Sequence, residues 1–312
     1  MSKTTTEFLA SVKRRITMPA QQSLLSDPAI LSLGDDCIAS YIAPMLVTTM
    51  QDYFVYVVDV PLVSGQSSYD IPYRAMGRTL RDLKAIITSN PDNVRNMVKI
   101  SLEDAHLFRT NTGTSSPYGF HFQGDKIVVV PEPTDATNSL RIFFELPPNK
   151  MIEVGDAGLI TGISGGDITV SSTPTSFSTS SLTDFIAGRQ GNATRSFDIA
   201  PTNIAGNIIT YAIADVPSTL VVGDYIALAE QTPVLQIPDS CFPWLVTKTG
   251  RRVLNAIGDF EGYRALDDDD KDEELRLSKI LQPRITGEQT KIVNRYGLAR
   301  QGRSIYGRRI LF

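Results

Sequence analysis

The chain has 312 residues, of which 42% are hydrophobic and 21% charged, with a net charge of -4. That is enough to bury more than one core, and it excludes a protein that coats nucleic acid with its whole surface, which would need an excess of cations. The charge is uneven. From Arg284 onward seven cations face Glu288 alone, so this tail is +6 and the remainder is -10. Two charge populations suggest two partners, or two neighbouring copies. Met1 to Thr6 is polar and no leader is expected, nor is any apolar run long enough to span a bilayer. Cys37 and Cys241 are expected as buried, unpaired thiols rather than a disulfide.

Thr4 and Glu7 stand at capping-box spacing, and Phe8, Leu9, Val12 and Ile16 recur on one helical face until Pro19. A second helix is expected from Asp27 as N-cap, with Pro28 at its first position and apolar residues from Ile30 to Met45 at helical spacing. Pro44 should kink or weaken it. The period changes at Tyr53. Tyr53 to Val63 and Ser68 to Ile71, joined by Ser64-Gly65-Gln66, predict a β-hairpin. A short helix is expected from Gly77 to Ile86, with Leu80, Leu83 and Ile87 inward and Arg74, Arg78 and Arg81 outward.

Strands are then expected at Phe120 to Phe122, Lys126 to Val130 and Leu140 to Leu146. Between Gly155 and Asp224 the composition turns to Ser, Thr, Gly and Asn. Strands at Leu159 to Ile163, Asp167 to Val170, Ser196 to Ile199, Ile208 to Ile213 and Leu220 to Val222 suggest a small inserted β-sandwich or barrel. After a strand at Tyr225 to Leu228, Pro238 and Asp239 open a helix that Gly258 should close, and another runs from about Arg264 to Leu281. Helices at both ends with strands between them predict an α+β chain whose ends pack together.

Chemical motifs are few. Gly162-Ile163-Ser164-Gly165-Gly166 fits a nucleophile-elbow string, but both histidines, His106 and His121, precede it, so a turn is expected. Asp267 to Asp270 lacks the glycine and the glutamate of a calcium loop and reads as a charged helix start. Glu103, Asp104 and His106 have no second histidine at metal-ligand spacing and read as a turn or helix start. No phosphate loop, dinucleotide fingerprint or H-E-x-x-H string occurs, and neither a metal nor a cofactor is expected. The tail alternates cation, aromatic and glycine and ends in Ile310, Leu311 and Phe312, which suits docking in a groove on an acidic protein, where arginines pair with carboxylates. Nucleic acid phosphates, or a solvated terminus, are the other readings of the same residues.

The order of elements resembles the head-to-tail adaptor (connector, or neck) proteins of tailed bacteriophages. The strings that carry the resemblance are Tyr69-Asp70-Ile71-Pro72-Tyr73-Arg74-Ala75-Met76-Gly77-Arg78, Leu235-Gln236-Ile237-Pro238 before the helix ending at Gly258, and Leu281-Gln282-Pro283-Arg284. It covers roughly residues 5 to 150 and 225 to 312. The resemblance implies a non-enzymatic virion structural protein, made in the host cytoplasm and placed at the neck between capsid and tail. The expected division is a helical-bundle core with a β-hairpin or sheet from residues 1–154 and 225–285, an extended basic arm at 286–312, and an inserted β domain at 155–224 by which the chain departs from a minimal adaptor. Such proteins form a homo-oligomeric, commonly dodecameric, ring under the portal through which DNA passes without sequence-specific binding. Arg300, Arg303, Tyr306, Arg308, Arg309, Ile310, Leu311 and Phe312 would form the portal-docking arm, and the insertion would face tail, nozzle or fibre proteins. The alternatives are a tail-tube, baseplate or fibre-attachment component, and a carbohydrate-binding β module or enzyme.

Overall fold

The computed structural model describes residues 3–16, 25–50, 52–78, 80–87, 94–105, 117–134, 136, 138–188 and 194–281. Helix α1 (Thr5–Arg15) opens on the expected capping box, with the Glu7 N–H donating to Thr4 Oγ1 and the Thr4 N–H donating to Glu7 Oε2, each at 3.3 Å. Two otherwise orphaned donors are satisfied there, which stabilises the helix by about 1 kcal/mol. Helix α2 (Asp27–Cys37) is capped by Ser26, one residue before the expected Asp27. It runs into five π-helical residues, Ile38–Ile42, and then α3 (Ala43–Thr49). The wide turn, in which the Ala43 N–H donates to the Ile38 carbonyl, sits just before Pro44. Proline lacks an N–H and its ring collides with the carbonyl four residues back, so a local widening absorbs it.

The run Asp27–Thr49 has 23 residues and holds an 18-residue window of mean hydropathy 1.4, which by length and composition alone meets the requirement of a membrane span. This corrects the expectation that no such run exists. One face of it, including Ile30, Leu31, Cys37, Ile42 and Leu46, is buried in a core shared with Phe8, Val12, Trp244, Leu245 and Val253. Gly34 permits this packing, because a Cβ there would come within 2.6 Å of Met151 and 2.9 Å of Phe8.

Helix α4 (Phe242–Ile257) follows a single 3-10 turn after Pro238 and closes at Gly258, whose φ of 81° is left-handed. Two helices replace the one expected from Arg264: α5 (Phe260–Ala265) and α6 (Asp267–Leu281). Leu266 separates them and packs against the helical core. The N-terminal segment meets the stretch that leads into α4, for the Thr5 N–H donates to the Pro233 carbonyl at 3.0 Å and the Leu235 N–H to the Lys3 carbonyl at 2.9 Å.

Up to Glu145 the strands are β1 (Val55–Pro61), β2 (Ser68–Asp70), β3 (Asp82–Ile87), β4 (Val94–Asn96), β5 (Val98–Lys99), β6 (Gly119–Gln123), β7 (Lys126–Val130) and β8 (Asn138–Glu145). They form two four-stranded sheets, ordered β1-β8-β3-β4 and β2-β7-β6-β5. The expected hairpin is therefore not formed. Its first strand pairs with β8, Val58 opposite Ile142, and its second with β7, Tyr69 opposite Ile127, so the turn around Gly65 carries the chain between sheets. The expected helix from Gly77 is also replaced. Gly77 has a φ of 62° inside a short 3-10 turn, and Asp82–Ile87 is strand β3 along β8. β8 alternates buried and half-buried along its whole length and bonds on both edges, so a neighbour far along the chain overrides the helical propensity of Leu-Arg-Asp-Leu-Lys. Leu83, Ile127, Leu140, Ile142 and Phe144 make the core of this half.

The remaining strands are β9 (Lys150–Met151), β10 (Gly158–Ser164), β11 (Asp167–Val170), β12 (Thr183–Ile186), β13 (Thr194–Ile199), β14 (Asn203–Ala205), β15 (Ile208–Thr210), β16 (Tyr225–Leu228) and β17 (Gln231–Thr232). β9 and β17 pair in parallel, and the other seven form one antiparallel ladder, β13-β12-β16-β10-β11-β15-β14, around Ile160, Ile168, Phe185, Ile209 and Ile226. Among the described residues no closed barrel forms, and the chain is a mixed α+β protein with several sheets. β16 is central in the ladder, which therefore draws on residues beyond Asp224. The strand expected at Leu220 to Val222 is a turn instead, because the buried Asp224 carboxylate accepts from the N–H groups of Val221 at 3.1 Å and Gly188 at 2.9 Å.

Candidate docking cleft

A cleft of about 870 Å³ lies between the helical and sheet regions. One wall is a stripe of α2, the π turn and α3, with Asp35, Asp36, Ile38, Ala39, Ala43, Pro44, Val47 and Thr48. The other comprises Tyr73 to Gly77, with the loop Pro147 to Lys150 and Glu230 completing it. The surface is mostly apolar, and the charges on it are Asp35, Asp36 and Glu230 against Lys150, with Arg74 already committed below.

Arg74 is the anchor of that wall. The sequence placed it outward, but it is 6% exposed and its guanidinium ties together segments from most of the chain. Nη1 donates to Asp184 Oδ1 and Oδ2 at 3.0 and 2.9 Å and to Asp198 Oδ1 at 3.2 Å, while Nη2 donates to Asn149 Oδ1 at 2.5 Å. Asp184 is fully buried and also accepts from the side chain of Asn149 at 2.8 Å and from the backbone N–H groups of Asp198 at 3.0 Å and Glu230 at 3.1 Å. Asp198 and Glu230 are the two non-glycine residues with positive φ among the described residues, at 60° and 66°. Left-handed backbone costs roughly 1–2 kcal/mol per residue. Here both aim an N–H at one carboxylate, so the strain is held by the knot it helps to build.

The knot extends outward through Asn149, whose N–H donates to Gln236 Oε1 at 2.7 Å, and Gln236 donates to Thr194 Oγ1 at 3.0 Å. Phe197 lies 5.2 Å from the Arg74 guanidinium and 5.0 Å from Tyr56, joining the seven-stranded ladder to the first sheet. Burial pushes the Arg74 guanidinium down, but Asp184 and Asp198 outweigh it and raise it, so it stays charged. Burial likewise pushes the Asp184 carboxyl up, against the pull of Arg74 and its other donors.

Asp35 sits on the facing wall, where the Met151 N–H donates to both its oxygens at 3.0 and 3.1 Å. Burial pushes its carboxyl up to about 7, the Met151 bond and Lys150 pulling it down and Asp36 adding to the rise. Asp36 is exposed and pairs with Arg252 at 3.5 Å. The cleft thus offers an apolar trough whose helical side carries Asp35, its carboxyl raised by burial, and Asp36, already paired with Arg252.

The other sequence candidates resolve as structure. Gly162 to Gly166 spans the β10–β11 turn, with Gly165 at a φ of 62° and a Cβ on Gly166 meeting the Tyr211 carbonyl at 2.3 Å. Ser101 and Asp104 close a turn at 2.6 Å, and His106 lies outside the described residues. Cys37 and Cys241 are free and buried. Among the described residues no group of three or more His, Cys, Asp or Glu is placed to hold a metal ion.

The acidic run is more than a helix start. Asp270, 2% exposed, accepts from Trp244 Nε1 at 3.0 Å and pairs with Lys248 at 2.9 Å and with Arg251, which also donates to Asp267 at 2.7 Å. It pins α6 to α4. Arg81 pairs with Asp52 at 2.8 Å and with Glu145 at 3.9 Å. Arg300, Arg303, Tyr306, Arg308, Arg309, Ile310, Leu311 and Phe312 all lie outside the described residues. No family model matches the chain, and no curated protein matches it.

Proposed function

We propose that the protein is a non-enzymatic structural subunit of a tailed bacteriophage, a head-to-tail adaptor. Its copies form a ring, dodecameric by the resemblance, that joins the portal to the tail at the virion neck and lets DNA pass during genome ejection. The observation that carries the reading is the element order with its short strings around Tyr69 to Arg78, Leu235 to Pro238 and Leu281 to Arg284, combined with a body of -10 and a tail of +6. Opposite charges on body and tail suit both neighbouring copies in a ring and a basic arm that reaches an acidic groove. The core would be a helical bundle built from both ends of the chain, with the seven-stranded ladder directed toward tail or fibre proteins. An acidic lumen would keep DNA from sticking as it passes.

Arg300, Arg303, Tyr306, Arg308, Arg309 and the Ile310-Leu311-Phe312 ending are the proposed portal-docking arm. Deleting residues 301–312 tests it: portal association in a pull-down is expected to be lost while the circular dichroism spectrum and melting profile stay those of the full chain. Normal portal binding by the truncated protein would contradict the assignment. A tail-tube, baseplate or fibre-attachment subunit is the second reading, favoured by the seven-stranded β ladder, and it predicts association with tail components and none with the portal.

A further inference from the structure

We propose that residues 147–151 form a strap along the cleft, fastened to α2 by a proton-operated pin at Asp35, so that the cleft loosens along its helical wall when that carboxyl ionises. The device is independent of the adaptor reading. Pro147 and Pro148 have no N–H to donate, and the next three N–H groups each take a different partner. Asn149 donates to Gln236 Oε1 at 2.7 Å, Lys150 to the Glu230 carbonyl at 2.8 Å, and Met151 to the Asp35 carboxylate at 3.0 and 3.1 Å. The first two acceptors, an amide and a carbonyl, do not titrate, and Asn149 also belongs to the Arg74 knot beneath the second wall. Among the described residues the third is the strap's one hydrogen bond to α2, made possible by the close approach of Met151 to Gly34.

What sets this pin apart is the absence of a counter-cation. A carboxylate taken out of water stays ionised when a cation or several donors hold it. Asp184 and Asp198 have Arg74, Asp224 has Arg195 at 3.1 Å, and Asp270 has Lys248 and Arg251. Asp35 is half-buried with a single N–H for its two oxygens, and among the described residues no cation pairs with it. The charged groups around it are accounted for. On α2, Asp36 pairs with Arg252 of α4, and on β9 the exposed Lys150 pulls the carboxyl down without an ion pair. Across the cleft stand Tyr73, Glu230 and the committed Arg74. On α1, Glu7, Lys13 and Arg15 pair with Lys3, Asp27 and Asp269, and Arg14 is exposed. Burial outweighs these and pushes Asp35 up to about 7.

Opening that wets Asp35 lets its proton go, so the open strap is favoured as pH rises from about 4 to 7 and no further. The wall thereby freed carries Ile38, Ala43, Pro44 and Val47. Apolar surface is offered above neutral pH and withdrawn below it.

The test is hydrogen exchange of the full-length protein between pH 5 and 8, followed by NMR, with each amide's rate divided by its intrinsic rate. Opening at Met151 is expected to rise about a hundredfold over that range. At pH 8 it should exceed opening at Ile168, fully buried in the ladder, by at least about tenfold. Asp35→Asn keeps an acceptor for the Met151 N–H and has no proton to lose, so its profile is expected to be flat. Opening at Met151 that is constant from pH 5 to 8, or that changes equally in D35N, overturns the proposal. Equal opening at Met151 and Ile168 at every pH also overturns it, since the whole chain would then open together. Independently of the variant, a carboxyl NMR titration of wild-type Asp35 is expected to have its midpoint near 7, and a midpoint near 4 refutes the pin.

Discussion

The ionic knots at Arg74 and at Asp270 are both buried, and they differ in where their partners come from. Arg74 gathers Asn149, Asp184 and Asp198 from 75, 110 and 124 residues away, with side-chain exposures of 3% for Arg74 and 0% for Asp184. Asp270 gathers Trp244, Lys248 and Arg251, all within 26 residues, and the two cations keep 15% and 13% exposure. The first knot is dry and fixes how the sheet regions meet. The second is part-wet and fixes only how α6 lies on α4. Buried ion pairs add little net stability over well-packed apolar residues, but breaking one leaves a stranded charge. The dry, long-range knot therefore determines geometry at high cost of failure, whereas the local one is a graded clamp.

Mutation separates the two. Arg74→Met is expected to cost about 3–5 kcal/mol in urea denaturation, since it strands Asp184 without a cation. Arg74→Met with Asp184→Leu should recover part of that loss. If the single substitution cost under about 1 kcal/mol, the knot would not be holding the sheets together. Asp270→Asn is expected to cost about 2 kcal/mol, because Trp244 Nε1 keeps an acceptor and the cations keep access to water. Hydrogen exchange should then quicken in α6 and not in the β10–β16 ladder. A similar cost for both substitutions would erase the distinction.

Asp35 sharpens the comparison as a carboxylate raised by burial rather than neutralised by a knot. Its folded value of about 7 lies above the unfolded 3.8, so the folded state holds the extra proton and stability falls as pH rises from about 4 to 7, then levels. Asp35→Asn keeps an acceptor for the Met151 N–H. It should flatten that slope and stabilise the protein at pH 8 by about 1–2 kcal/mol. The smallest effect is expected at the exposed bidentate pair of Arg141 and Asp59, both bonds 2.8 Å, where Arg141→Ala should cost about 0.5 kcal/mol and less in high salt.

What could be read locally was read well. The capping box at Thr4 and Glu7, the left-handed Gly258 after α4, and strands Lys126–Val130, Asp167–Val170 and Tyr225–Leu228 depend on neighbours in sequence. Failures came where distant partners decide. Asp82–Ile87 is a strand because β8 lies beside it, and β1 and β2 part company because each has a partner in another sheet. β12 was missed because Thr183 and Asp184 look like loop, yet Asp184 is the buried acceptor for a guanidinium 110 residues away. The cleft was illegible for the same reason: its walls come from Asp35 to Thr48 and from Tyr73 to Gly77, and the second wall is anchored by the knot beneath it and by Ala75 in the sheet core.

The adaptor assignment is tested most directly by immunogold electron microscopy of phage particles with an antibody raised against this chain. Label at the neck between capsid and tail is the predicted result. Label at the tail tip or fibres, or no label on any particle, would contradict it.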